Sequence, residues 1–167
     1  MKEEKLLTLL KALLQNSRRS DRELAKAIKT SQPTVTRNRK ILGKYIRSYT
    51  IVPEFGEIGY EIAAITLAKT KGYEKKESEA RMNMAKKWVM SQPCVIFASN
   101  GEGLGKDAVI VSLHKNYSKY ADFVRECSTT FAEFFSDIQS FIVSLKTGML
   151  WKPLDLTYLA DDIEGPL

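Results

Sequence analysis

Between residues 31 and 40 the chain reads SQPTVTRNRK, which sets Ser31, Gln32, Thr34, Thr36, Arg37 and Lys40 within about three turns of a helix. Hydroxyls, a carboxamide, a guanidinium and an ammonium group form hydrogen bonds and neutralise anions. That is the chemistry of recognising nucleic acid. Ser31 and Gln32, at a helix start, suit phosphate contact through backbone amides and side chains. Thr36, Arg37 and Lys40 suit base edges or the flanking phosphates. Arg18, Arg19, Arg22, Lys44 and Arg47 flank this set with further cations able to neutralise phosphates. A solvated helix surface carries such residues too, so the set weighs more than any member. Catalytic chemistry is not expected. His114 is the single histidine, and no nucleophile–base pair or carboxylate pair stands at a telling spacing. Cys94 and Cys127 are isolated and no Cys-x-x-Cys occurs, so neither a disulfide framework nor a metal site is expected, and no cofactor is implied.

The elements that must position these groups lie in residues 19–46, RSDRELAKAIKTSQPTVTRNRKILGKYI. Ser20 and Glu23 form a capping-box pattern before an apolar face of Leu24, Ala25 and Ile28. A break falls at Lys29-Thr30. Ser31 is the next N-cap candidate, and Pro33 sits in the first turn, where its missing N–H costs nothing. Val35 and Leu42, with Ile41, form the inward side of the second helix, and Gly43 marks its end. Two short helices joined by a tight turn describe a helix-turn-helix, whose second helix enters the DNA major groove. Before it, residues 4–15 carry Leu6, Leu7, Leu10, Leu13 and Leu14 at helical spacing, a helix to complete a three-helix core. After it, residues 45–47 and 49–52 are β-prone and predict a small hairpin or wing. Pro53, Gly56 and Gly59 then mark a linker.

Charge follows the same division. Residues 1–49 hold 13 Lys+Arg against 4 Asp+Glu, while residues 50–167 hold 13 against 16. A basic first third on a mildly acidic remainder points to an anion-binding module joined to something that does not bind DNA. No apolar run approaches the ~20 residues of a membrane span, and MKEEKLL lacks a signal peptide's pattern. The expectation is a cytoplasmic, reduced protein with no membrane partner.

Beyond residue 60 the pattern changes. Residues 62–69, IAAITLAK, predict a strand, and residues 74–90 a helix with Ala80, Met84, Ala85, Trp88 and Val89 as a core stripe. Residues 95–98 and 108–113 predict strands joined by a turn over residues 100–105, hence an antiparallel hairpin. Residues 117–135 predict a helix carrying Tyr120, Phe123, Val124, Cys127, Phe131 and Phe134. Residues 141–145 predict a strand, begun near Ile138. The order β-α-β-β-α-β is the ferredoxin-like arrangement. The fold class is thus α+β, a winged helix-turn-helix plus a ferredoxin-like domain. The domains would be residues 1–52 for DNA binding, a hinge at 53–60, 61–147 for dimerisation and effector binding, and a tail at 148–167. Trp151, Leu154, Leu156, Tyr158 and Leu159, following Met149, suggest that the tail docks on this subunit or on its partner.

This layout resembles the Lrp/AsnC (feast/famine) family of prokaryotic transcription regulators, and an archaeal type is expected. RSDRELAKAIKTSQPTV looks like the family's helix-turn-helix, YIRSYTIVPEFGEIGYEIAAITLAK like its wing and hinge, and SNGEGLGKDAVIVSL like its Gly-rich turn with a following aspartate. The resemblance covers about residues 4–147. It implies a sequence-specific regulator of double-stranded DNA. It also implies a homodimer paired through the sheets of the second domains, and a higher assembly of dimers. It further implies a small-molecule effector such as an amino acid, and Gly101, Gly103, Gly105 and Asp107 occupy the matching turn. Glycine in a turn needs no ligand to explain it. Lys29 stands where the family has glycine, which predicts a left-handed residue there. Arg39 stands at an inward position, either paired with an acid such as Glu23 or reaching phosphate. The Gly-rich turn and the tail are longer than usual. The alternatives are an enzyme that reuses the layout, like certain haem-pathway decarboxylases, or a ligand-binding module without DNA binding. The single His114 in the second domain argues against the first, and the basic first third against the second.

Overall fold

The computed structural model describes residues 2–72, 75–146, 148 and 150–165. The elements are α1 (Lys2–Gln15), α2 (Asp21–Ala27), α3 (Gln32–Leu42), β1 (Ile62–Thr70) and α4 (Lys75–Ser91). Then follow β2 (Val95–Gly103), β3 (Lys106–His114), α5 (Tyr117–Thr130), β4 (Phe135–Ser144) and α6 (Leu159–Asp162). They form two compact units: Met1–Val52 with Lys152–Leu167, and Pro53–Trp151. The expected helix start at Glu74, the expected domain end at Thr147, and Met149 of the tail lie outside the described residues. No helix among the described residues is long and apolar enough to cross a membrane.

The first unit is built on leucine. Leu6, Leu9, Ala12 and Leu13 of α1 bury against Leu24 and Ala25 of α2 and Val35 and Leu42 of α3. The α1 stripe is thus centred on Leu9 rather than on Leu7 and Leu14, which are half-buried. Each fully buried leucine removes enough apolar surface to contribute about 1.5–3 kcal/mol. Lys29 does adopt a left-handed conformation, φ 51°. It lets the Thr30 N–H reach back to the Ala25 carbonyl at 2.9 Å and close α2. Gly43 ends α3 but stays right-handed, φ −54°, so it is no left-handed cap. The short α6 packs on α1 through Ala160, which is buried.

No wing forms. Residues 46–54 have no regular structure, and Tyr45, Tyr49, Ile51 and Val52 stand exposed. Their β propensity expresses packing against a neighbouring strand, and a lone two-stranded ribbon is marginal in water. With no neighbour in the chain, the propensity goes unused.

The second unit is a four-stranded antiparallel sheet in the order β2-β3-β1-β4. Along β1 the alternation is strict. Ile62, Ala64, Thr66 and Ala68 are buried, and small side chains there let the helices approach. Helix α5 packs on β1 and β3, while α4 packs on β2. Trp88 of α4 stacks on Phe123 of α5 at 5.4 Å and meets Phe131 edge-on at 5.5 Å. On α4 the inward residues are Met82, Ala85 and Trp88; Ala80 and Met84, expected inside, are exposed. Helix α5 stops at Thr130, five residues short of expectation. Phe131 and Phe134 keep helical spacing yet bury from a turn, and Phe135 already starts β4. The opposite sheet face is open, and the register aligns Phe97, Val111, Ile65 and Phe141 in one row across all four strands. Phe97 is 55% exposed and Phe141 71%.

Candidate nucleic-acid interface

The candidate site is the outward face of α3. Val35, Asn38 and Leu42 point inward, which turns Gln32, Thr36, Arg37 and Lys40 outward at helical spacing. With Pro33 these four line a shallow, open concavity. At the helix start, Ser31 holds the N-cap position but makes no cap hydrogen bond. Its Oγ pairs instead with Thr34 Oγ1 at 2.8 Å. The first amides of α3 therefore have no side-chain cap, which leaves the positive end of the helix dipole facing water. Among the flanking cations, Arg18, Arg22, Lys44 and Arg47 are exposed and Arg19 is half-buried. The Arg18 N–H donates to Asn16 Oδ1 at 3.0 Å, a local turn that shapes the segment between α1 and α2.

Beside the apolar contacts of Leu24 and Ala25 with Val35 and Leu42, a polar bridge centred on Asp21 ties α3 to α2. Its Oδ1 accepts from Arg39 Nε at 2.9 Å, and its Oδ2 accepts from the Thr36 hydroxyl at 2.6 Å. A second guanidinium nitrogen of Arg39 donates to the Arg19 carbonyl at 3.2 Å. Arg39 is therefore a partly buried arginine paired with an acid, but the acid is Asp21 and not Glu23. Glu23 is committed elsewhere. Its carboxylate accepts from both the N–H and the hydroxyl of Ser20, each at 2.7 Å, while Ser20 Oγ caps the Glu23 amide. Those Ser20 bonds hold the Glu23 carboxyl below its ordinary value. Two residues were missed by sequence reasoning, Asp21 and the buried Asn38. A charge on the inward side of a helix announces a counter-charge. Its identity, however, depends on which turn of α2 lies opposite, and that is a tertiary fact.

The glycine-rich turn is arranged differently from the six-residue loop expected. Asn100 to Gly103 extend β2, and Gly103 pairs with Lys106. Only Leu104 and Gly105 remain in the turn, with φ 52° and 69°. Two positive φ values are the signature of the turn that matches hairpin twist. A side chain added at Gly101, Gly103 or Gly105 would meet nothing within 4 Å. Asp107 is occupied within the chain. It accepts from the Thr70 N–H and hydroxyl, each at 2.9 Å, and pairs with Lys69 at 3.1 Å. Burial works to raise its pKa, but the bonds from Thr70 and Lys69 outweigh it and hold the carboxyl below its ordinary value.

No protein-family model and no curated protein matches this chain. Solved structures do. A transcriptional regulator from Neisseria meningitidis, in complex with L-Met, is 18% identical, with 93% of this chain and 97% of that one covered at a TM-score of 0.73. AsnC of Escherichia coli is 18% identical, covered at 90% and 96%, TM-score 0.69. A Pyrococcus furiosus transcriptional regulatory protein of the AsnC family is 21% identical, covered at 96% and 98%, TM-score 0.68. The chain has the fold of these Lrp/AsnC regulators over nearly its whole length.

Proposed function

We propose that this chain is a transcription regulator that binds double-stranded DNA. Helix α3 would be the recognition helix of a helix-turn-helix, and two copies would read the two half-sites of a palindrome. The observation that carries this reading is the outward face of α3. Gln32, Thr36, Arg37 and Lys40 line one open concavity next to an uncapped helix start, on a segment with 13 basic and 4 acidic residues. Such a face offers base-edge donors and acceptors together with phosphate-neutralising charge. The open face of the sheet supports a homodimer paired through the second units, and dimers of this kind would assemble further. The glycine-bearing end of the hairpin, with Gly101 and Gly103 in β2 and Gly105 in the turn, supports an effector site for a small molecule such as an amino acid. The Neisseria protein with the same fold was solved with L-Met. With Asp107 engaged by Thr70 and Lys69, such an effector would meet backbone groups of the turn.

Fluorescence anisotropy tests the DNA reading. The duplex upstream of the chain's own coding sequence is compared with a scrambled duplex at two salt concentrations, because affinity for DNA falls steeply with salt. Preference for the native duplex that survives the higher salt is expected. Arg37→Ala should weaken binding to that duplex more than to the scrambled one. Equal losses would reduce Arg37 to a phosphate contact, and absence of binding to either duplex would count against the reading itself.

A further inference from the structure

A threonine hydroxyl has one proton to donate and lone pairs with which to accept. At Thr36 two acceptors lie within reach of that proton. Asp21 Oδ2 is 2.6 Å away, and the Gln32 carbonyl, one turn back on α3, is 3.2 Å away. The carboxylate wins, since hydrogen bonds to charged acceptors are shorter and about twice as strong. Asp21 is itself held in place by Arg39, so its acceptor atom does not drift. Thr36 nevertheless remains exposed and lines the concavity of α3 beside Gln32, Arg37 and Lys40. What it offers outward is oxygen lone pairs without a proton.

We propose that Thr36 reads DNA solely as a hydrogen-bond acceptor, its proton being retained by Asp21. Helix α3 then selects a base bearing a major-groove amino group at that position. The inference rests on the DNA-binding reading above and makes it more specific. In the major groove adenine presents an N6 amino group and cytosine an N4 amino group, whereas guanine and thymine present only acceptors at the corresponding edge. An unrestricted threonine could serve either class. One whose proton is taken cannot donate to guanine O6 or N7, to thymine O4, or to a phosphate oxygen. Asp21 is accordingly a positioning residue, which sets specificity without touching the base.

The test starts from the full-length protein and a library of duplexes with a randomised core, from which bound sequences are enriched and read. Every base pair carries one such amino group, on adenine or on cytosine, so the amino groups of the enriched consensus are deleted singly, purine replacing adenine or pyrimidin-2-one replacing cytosine, and one deletion should weaken binding by the wild type. Duplexes differing only there are then compared across variants. In Thr36→Val the preference should drop about fivefold or more while the rest of the consensus stands, the scale of one lost base contact. In Thr36→Ser it should persist. Asp21→Asn is the discriminating variant. Its carbonyl oxygen must serve Arg39, so its amide N–H₂ faces Thr36 and donates, and the threonine proton is released. On the strand whose amino group proved necessary, guanine in place of adenine or thymine in place of cytosine should then be better tolerated. Melting temperatures establish that each variant is folded. A consensus in which no single amino-group deletion weakens wild-type binding, a deletion that weakens Thr36→Val as much as the wild type, or a consensus indifferent to Thr36→Val would each overturn the proposal. A library from which nothing is enriched would overturn the DNA-binding reading, and this inference with it.

Discussion

Removing the Phe141 ring should weaken self-association sharply. Phe141 sits at the end of the row Phe97–Val111–Ile65–Phe141 and is 71% exposed in the isolated chain. A phenylalanine presents on the order of 200 Å², so about 140 Å² of ring is open to be covered by a second copy. At about 25 cal/mol per Å² that area corresponds to about 3.5 kcal/mol. Alanine would retain roughly a third of it, leaving a loss of about 2.5 kcal/mol per subunit. In a twofold dimer the substitution acts twice, so the loss is about 5 kcal/mol, or roughly three to four powers of ten in the dimer dissociation constant. Phe141→Ala is compared with the parent by sedimentation equilibrium from nanomolar to micromolar concentration. Met90→Ala serves as the control, because Met90 is 78% exposed but lies on α4, away from the sheet face. Circular dichroism checks that both variants are folded. A Phe141→Ala dimer as tight as the parent would refute the assignment of the open face to self-association.

Other consequences follow from buried or strained groups. His114 is 3% exposed, and its Nε2 lies 2.8 Å from Ser112 Oγ among Tyr120 and Phe123; burial lowers its pKa below the ordinary 6.5. The unfolded imidazole gains a proton at a higher pH than the native one, so stability should fall as pH drops through about 6.5 and until the native imidazole protonates too, at most by about 1.4 kcal/mol per unit. Urea titrations from pH 7.5 to 5 read this slope, which His114→Gln should remove. Leu104 is 87% exposed and carries a positive φ that costs a branched side chain about 1–2 kcal/mol. Leu104→Asn should therefore raise the melting temperature, and a fall would speak against the turn geometry. Ala160→Asp would place a charge in the α1–α6 contact, where Ala160 is 2% exposed. Since an unpaired buried charge costs several kcal/mol, the variant should free the tail to proteolysis, and unchanged protection would count against the docking.

Legibility in the sequence followed the range of the interactions. The capping box of Ser20 and Glu23 is decided within four residues, and it formed. The left-handed Lys29 was readable through the resemblance, because it stands at the break where the family has glycine. The β-α-β-β-α-β order was readable from changes of period, and the strand pairing then allows few arrangements. Features decided by distant partners were misread. Tyr45 to Val52 look like a strand, but strand formation needs a neighbour that this chain does not place beside them. Phe131 and Phe134 satisfy helical spacing and yet bury from a turn, because two aromatic rings three residues apart can reach one core from either geometry. On the α3 face, Gln32, Arg37 and Lys40 could be chosen as outward residues from periodicity alone. That Thr36 gives its proton to Asp21 could not, because fifteen residues and a turn separate the two.

The tail shows the same principle from the other side. Its apolar residues Trp151, Leu154, Leu156, Tyr158 and Leu159 predict docking, but they do not say why it settles on α1. The reason lies at the opposite end of the chain. Helix α1 carries leucines over a wide arc. Leu6, Leu9 and Leu13 belong to the core shared with α2 and α3, while Leu7, Lys11 and Leu14 are half-buried outside it. A helix apolar on more than one stripe requires more than one neighbour. Within the first unit, α2 and α3 account for one stripe and α6 supplies a second contact. Both chain termini therefore belong to the unit that carries α3, and residues 53–151 are inserted between them.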